Sequence, residues 1–213
     1  MRASSAPPAR RTYRHGDLRR ALIDAGVELA RGGGPDAVVL REATRRAGVV
    51  PNAAYRHFSS RQELLGAVRS AALSALAVAM ETELAGLGSA EDPADLARAN
   101  LRAIGTGYLR FALAEPGLFR TAFAVPREPG GSADPDKVGK SGLDPFELLG
   151  AALDRLVAAG VLPEARRAGA EYLAWSAVHG LAMLVLDGPL RGLAPAETAS
   201  IGERLCDMVE KGL

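Results

Sequence analysis

Residues 40–68 read LREATRRAGVVPNAAYRHFSSRQELLGAV. A short helical run from about Val39 to Ala47 stops at Gly48, because glycine accepts the positive φ of the residue just past a helix end. Pro51 fits the first turn of a further helix reaching about Phe58, and Ser60-Arg61-Gln62-Glu63 is a capping box that opens another. Two short helices joined by a tight turn have the spacing of a helix-turn-helix, whose second helix fits a major groove about 12 Å wide. Many helical domains use the same corner only for packing, so the side chains decide. Tyr55, Arg56 and His57 crowd a helix too short to hide all three, and Arg41, Arg45 and Arg46 lie on the helix before it. Hydroxyl, imidazole and guanidinium groups are all phosphate donors.

Outward from this stretch the pattern is helical throughout. Residues 1–14 form a basic arm carrying Arg2, Arg10, Arg11 and Arg14, on which no fold is imposed. Asp17 caps a helix with Leu18, Leu22, Ala25 and Leu29 on one face, ended by Gly32-Gly33-Gly34-Pro35. The helix opened by Ser60 continues to about Leu84 and, at about 1.5 Å per residue, exceeds roughly 35 Å. Beyond it, Asp92–Ala114, Glu115–Ala124, Asp144–Ala159, Arg166–Leu186 and Pro195–Lys211 keep helical periodicity between glycine and proline breaks. The interval between Pro126 and Gly142, rich in breakers and charges, is expected to be a mobile loop. No convincing strand or repeat appears, so the fold class is all-α.

The chain has 213 residues and a net charge of +1. A total so near zero argues against nucleic acid, which normally demands a basic footprint. Division after Ser70 reverses that inference. Thirteen arginines and six acids give the first part +7, leaving −6 for the rest. A basic head on an acidic body is the asymmetry of a nucleic-acid module joined to something else. The single cysteine, Cys206, makes no internal bridge, and a reducing compartment suits it. The uninterrupted apolar runs fall short of a bilayer span, and no apolar stretch follows the basic amino terminus as in a secretory signal. The expected location is the cytoplasm, with no membrane partner.

Residues 40–68 resemble the signature of TetR-type transcriptional regulators, above all Ala47-Gly48-Val49, Tyr55-Arg56-His57-Phe58, Ser60-Arg61 and Glu63-Leu64-Leu65. Trp175, His179 and Gly180 are similar to a Trp/His/Gly motif in the carboxy-terminal domain of one subfamily. The resemblance implies an amino-terminal three-helix helix-turn-helix domain, residues 15–62, and a carboxy-terminal helical domain, residues 63–213, that binds a ligand and dimerises. It implies that Tyr55, His57 and Arg61 hold phosphates, and that Arg41, Asn52, Ala53 and Arg56 face bases. Arg41 and Arg56 suit guanine and Asn52 adenine; a phosphate contact suits Arg56 equally. Arg10, Arg11 and Arg14 add affinity from the arm. Val39 and Val50 stand where the family places hydroxyl residues that cap helices two and three, and Thr44 replaces a small apolar residue.

For the body, the resemblance implies a dimer face on the last two helices from Leu181, Leu184, Val185, Ile201, Leu205 and Met208. Tyr108, Phe111, Phe119, Phe123, Trp175, His179 and Met183 are candidate pocket residues, each with plain core as the alternative reading. Trp175 and His179, four residues apart, share a helix face. The partners expected are a palindromic double-stranded operator, a small-molecule effector and a second copy of the chain, with no cofactor. Catalysis and metal binding have little to stand on: His15, His57, His179 and Cys206 lie on different segments without ligand spacing. A regulator, most simply a repressor released by an apolar or amphipathic molecule, is therefore preferred over a ligand-independent structural DNA-binding protein and over a helical enzyme.

Overall fold

Ser60 accepts a hydrogen bond from the Glu63 N–H and starts the longest helix, α4, Arg61–Ala85. Glu63 reaches back to the Ser59 N–H at 2.7 Å, which holds its carboxyl below the usual range. In the computed structural model, which describes residues 15–124 and 135–213, the other helices gather around α4. They are α1 (His15–Gly33), α2 (Leu40–Ala47), α3 (Pro51–Ala54), α5 (Pro93–Ala114), α6 (Pro116–Phe123), α7 (Pro145–Ala158), α8 (Ala170–Leu186) and α9 (Pro195–Gly212). No strand occurs among the described residues. Arg10, Arg11 and Arg14 lie outside them.

α4 packs its first turns on α1 and its later turns on α5, α6 and α7. Leu64, Val68, Leu76 and Met80 are buried along it, as are Leu22 and Ala30 of α1 and Leu118 and Phe119 of α6. One continuous core therefore runs from the head into the body. By length and composition α4 would also reach across a bilayer, a property the count of uninterrupted apolar runs missed; half of its most apolar window is buried inside the protein.

Several boundaries move. α1 is already helical at His15, the first of the described residues, so Asp17 lies inside the helix and not at its cap. α3 spans only Pro51–Ala54, and Tyr55–His57 form a tight turn, because the Phe58 and His57 N–H groups both fold back onto the Ala54 carbonyl and Phe58 enters the core. The segment expected as one helix from Arg166 is broken: Glu164–Arg166 is a 3-10 turn, Gly169 adopts φ 78°, and α8 starts after it. Most instructive is the expected mobile loop. Its described part, 135–142, is fastened to α4, with Ser74 Oγ donating to the Val138 carbonyl at 2.7 Å. Glu81 accepts from the Lys140 and Ser141 N–H groups, both at 2.8 Å, and from Ser141 Oγ at 2.6 Å. Burial alone would raise the Glu81 carboxyl; these bonds outweigh it and hold the group below its ordinary value.

Candidate nucleic-acid face and ligand cavity

At the head, Gly48 ends α2 at φ 69°, donating to the Arg45 and Thr44 carbonyls, and turns the chain into α3. The missing hydroxyls have a visible effect: neither Val39 nor Val50 makes a side-chain cap, and Val50 is 67% exposed. Thr44 is buried with its hydroxyl donated to the Arg41 carbonyl at 2.7 Å, so it adds no unsatisfied group.

The exposed cations of the corner divide into two sets. Arg45 and Arg46 converge on Glu42. The hydrogen bond from Arg45 lowers the Glu42 carboxyl and raises the guanidinium in return. Arg41 and Arg56 are exposed, and their guanidinium groups have no hydrogen bond or ion pair among the described residues. Asn52 is exposed as well, Tyr55 is 57% exposed, and Ala53 and His57 are half-buried. Arg41, Asn52, Tyr55 and Arg56 are thus all exposed with open hydrogen-bonding capacity. Arg61 differs. Its Nε donates to the Val38 carbonyl at 2.9 Å and its Nη2 to the Pro35 carbonyl at 2.8 Å, with Asp36 at 3.6 Å. It closes the turn between α1 and α2, a role invisible in a sequence where its partners lie more than twenty residues away.

In the body a cavity of about 540 Å³ lies between α4, α5, α7, α8 and α9. Of the expected pocket residues, Tyr108, Phe123, Trp175 and His179 line it. Phe111 and Phe119 are buried in the core, and Met183 stands 37% exposed; none of these three is on the wall. Phe146 and Tyr172, which the sequence reading did not select, complete an aromatic side, their rings 5.6 Å apart, and Phe146 is 5.6 Å from Trp175. Both sit near helix starts, and a search for body aromatics still without a role would have found them. Leu73, Met80, Leu149 and Cys206 add apolar surface, and Arg69, Lys137 and Asp144 also line it. Burial pushes the Cys206 thiol up.

The cavity wall contains a polar chain centred on the buried Tyr108. Trp175 Nε1 donates to the Tyr108 hydroxyl at 3.1 Å, and that hydroxyl is 2.8 Å from His179 Nδ1. Burial drives the Tyr108 phenol well above the usual range against the opposing effect of the indole bond, and burial lowers His179, favouring the neutral imidazole.

α6 joins the two regions. Arg69 of α4 donates through Nε to the Ala122 carbonyl at 2.9 Å, next to Phe123 of the cavity wall. At the other end of α6, Gly117 is so close to the Ala30 carbonyl of α1 that a Cβ there would collide with it, and Arg31 pairs with Glu115 at 3.1 Å. Of the residues expected to meet a second copy, Leu184 and Met208 are 43% and 60% exposed, and Val185, Ile201 and Leu205 are partly exposed. Leu181 is buried within the chain itself.

Residues 22–68 match the model of the bacterial regulatory proteins of the tetR family, and residues 101–209 match that of the tetracyclin repressor-like C-terminal domain. No curated protein matches the chain in sequence at a significant level. Among solved structures, a Rhodococcus sp. RHA1 protein of unknown function superposes with a TM-score of 0.74 at 27% identity, covering 96% of this chain and 99% of that one. A TetR variant from Acinetobacter baumannii AYE bound to minocycline gives 0.56 at 20%, covering 90% and 93%. RolR bound to resorcinol gives 0.56 at 20%, covering 91% and 88%; these last two likenesses are of fold.

Proposed function

We propose that this chain, which belongs to the TetR family of bacterial transcriptional regulators, is a cytoplasmic homodimeric repressor released from a palindromic operator by a small apolar or amphipathic effector. The observation that carries the reading is the shared wall. α4 and α6 line or adjoin the cavity, and the same two helices pack on α1 of the head. A molecule that reshapes the cavity therefore works on helices that also fix the pose of α2 and α3. Two heads on successive major grooves must sit roughly 34 Å apart, so a small tilt at the body disturbs both. Two structures with the same fold are complexes with minocycline and with resorcinol, which supports a ligand role for the cavity of this chain.

In this reading the head is residues 15–62 and the body 63–213, preceded by the arm at 1–14. Arg41 and Arg56 take guanine edges, Asn52 an adenine edge and Ala53 a thymine methyl, while Tyr55 and His57 fix phosphates. Arg10, Arg11 and Arg14 add phosphate contacts. Arg61 keeps the corner in shape and offers its remaining N–H groups. Leu184, Val185, Ile201, Leu205 and Met208 supply the face for the second copy. The arm and head together carry +7 against −6 for the body, which favours one orientation on DNA. Selection of bound sequences from random DNA is expected to return a palindrome with one half-site spacing. Its binding should be lost in the Tyr55→Ala/Arg41→Ala variant; equal binding by wild type and variant overturns the assignment.

A further inference from the structure

We propose that His179 presents its Nε2–H to the cavity as a fixed hydrogen-bond donor, so that the ligand taken there is a planar aromatic molecule carrying an acceptor oxygen. The inference rests on the cavity being an effector site and adds the chemistry of what it accepts.

The protons along this part-buried chain can be assigned one by one. Trp175 Nε1 has only a proton to give, so the Tyr108 oxygen accepts there. Tyr108 is 4% exposed, and its hydroxyl has one other neighbour in reach, His179 Nδ1. Were Nδ1 protonated, the tyrosine oxygen would accept twice and its own buried proton would have no acceptor, an arrangement proteins avoid. Tyr108 therefore donates to a bare Nδ1. The neutral ring must then carry its proton on Nε2. That nitrogen has no partner among the described residues, and no buried side-chain nitrogen or oxygen there lacks one, so Nε2 keeps accessible surface. The indole, by contrast, is already committed to Tyr108 and offers the cavity only its face.

The surroundings of Nε2 define the rest of the ligand. The Phe123 ring centroid is 4.9 Å from that of His179 and Trp175 is at 6.2 Å, with Phe146 beyond Trp175. Flat rings at these separations receive another flat ring in edge or offset contact. About 540 Å³ is ample for a bicyclic aromatic body. An acceptor oxygen, whether ketone, phenolic or carboxylate, meets the donor; a plain hydrocarbon leaves it unpaired.

The test uses the full chain with 2-acetylnaphthalene and 2-isopropenylnaphthalene, which share a heavy-atom skeleton, the first with an acceptor oxygen and the second with a methylene in its place. Dissociation constants are read from the indole N–H resonance of Trp175, the one tryptophan in the chain. The ketone is expected to bind wild type about tenfold tighter than the hydrocarbon, as one neutral hydrogen bond implies. In His179→Phe, which keeps a ring and loses the donor, the two should bind equally. Nitrogen-15 spectra of the wild-type imidazole give a reading independent of any variant's folding: an Nε2-protonated ring whose Nε2 signal moves with the ketone and not with the hydrocarbon. A ketone preference that survives in His179→Phe, an Nδ1-protonated ring, or no binding of either compound overturns the proposal. Operator release is measured separately. Histidine-dependent binding that leaves DNA bound counts against the effector reading while the donor assignment stands; release of wild type and His179→Phe alike counts against the donor.

Discussion

The head and the cavity handle polar groups in opposite ways. At the head, Arg41, Asn52, Tyr55 and Arg56 stand exposed, two of them guanidinium groups without a partner among the described residues, and the helix caps at Val39 and Val50 lack side-chain hydrogen bonds. In the cavity wall, Trp175, Tyr108 and His179 satisfy one another in a single directed chain amid apolar surface. Open hydrogen-bonding capacity on a surface costs little because water fills it, and it leaves groups available to a large anionic partner. Buried capacity must be satisfied internally, so what remains open there, one nitrogen of His179, acquires a fixed direction. The head is thus suited to many contacts of modest individual strength and the cavity to one or two exacting ones.

The largest effect should come from breaking the head alone. Arg56→Ala is expected to weaken operator binding about tenfold to a hundredfold while leaving the thermal midpoint of unfolding unchanged, since the side chain supports nothing in the fold. A titration across salt concentrations separates its two readings. A phosphate contact lowers the salt slope by about one, whereas a base contact changes sequence preference at one position.

Arg61→Ala tests whether every cation of the head belongs to the DNA face. Loss of the two carbonyl bonds at Val38 and Pro35 should destabilise the protein by about 1–3 kcal/mol in urea unfolding. Arg61→Lys, which keeps the charge and loses the fork, should recover little of it. Stability equal to wild type in both variants would return Arg61 to the surface set.

Tyr108→Phe strikes the cavity side. It leaves the indole N–H and the Nδ1 lone pair without their partner and is expected to cost about 1–2 kcal/mol. Its pH dependence is distinctive. The folded phenol titrates above the unfolded one, so the stabilisation is fully present below the ordinary tyrosine value of about 10 and is lost as pH rises beyond it. Wild type should therefore lose stability more steeply than Tyr108→Phe in the alkaline range, as followed by denaturant midpoints. The smallest effect runs the other way: Val50→Ser supplies the absent cap of α3 and should stabilise by about 0.5–1 kcal/mol, with a rise in thermal midpoint.

These contrasts were unevenly legible in the sequence. The corner at Gly48, the cap at Ser60, the helix starts at Asp92 and Asp144, and the helical body follow from local rules, and the structure has them near the expected positions. The shortness of α3 did not follow, because it depends on Phe58 turning into the core. The anchoring of residues 138–141 depends on Ser74 and Glu81, more than fifty residues earlier, and composition alone read that segment as mobile. The pairing of Trp175 with His179 was visible as a helix spacing. The group that links them, Tyr108, sits on another helix, and its role emerged only from the distances.

The close seat of Gly117 against Ala30 bears on how such regulators can be recombined. A chimera that grafts a foreign head onto this body, or this head onto another, cannot be spliced at a linker, because α4 runs unbroken through the junction and α6 touches α1 from the body side. The transplantable unit includes the first turns of α4 together with the surface that receives α6. A donor whose residue at position 117 carries any side chain would need a different α1 to receive it. Exchange of specificities between members of this fold should accordingly succeed or fail on that small seam, before either the operator or the effector is considered.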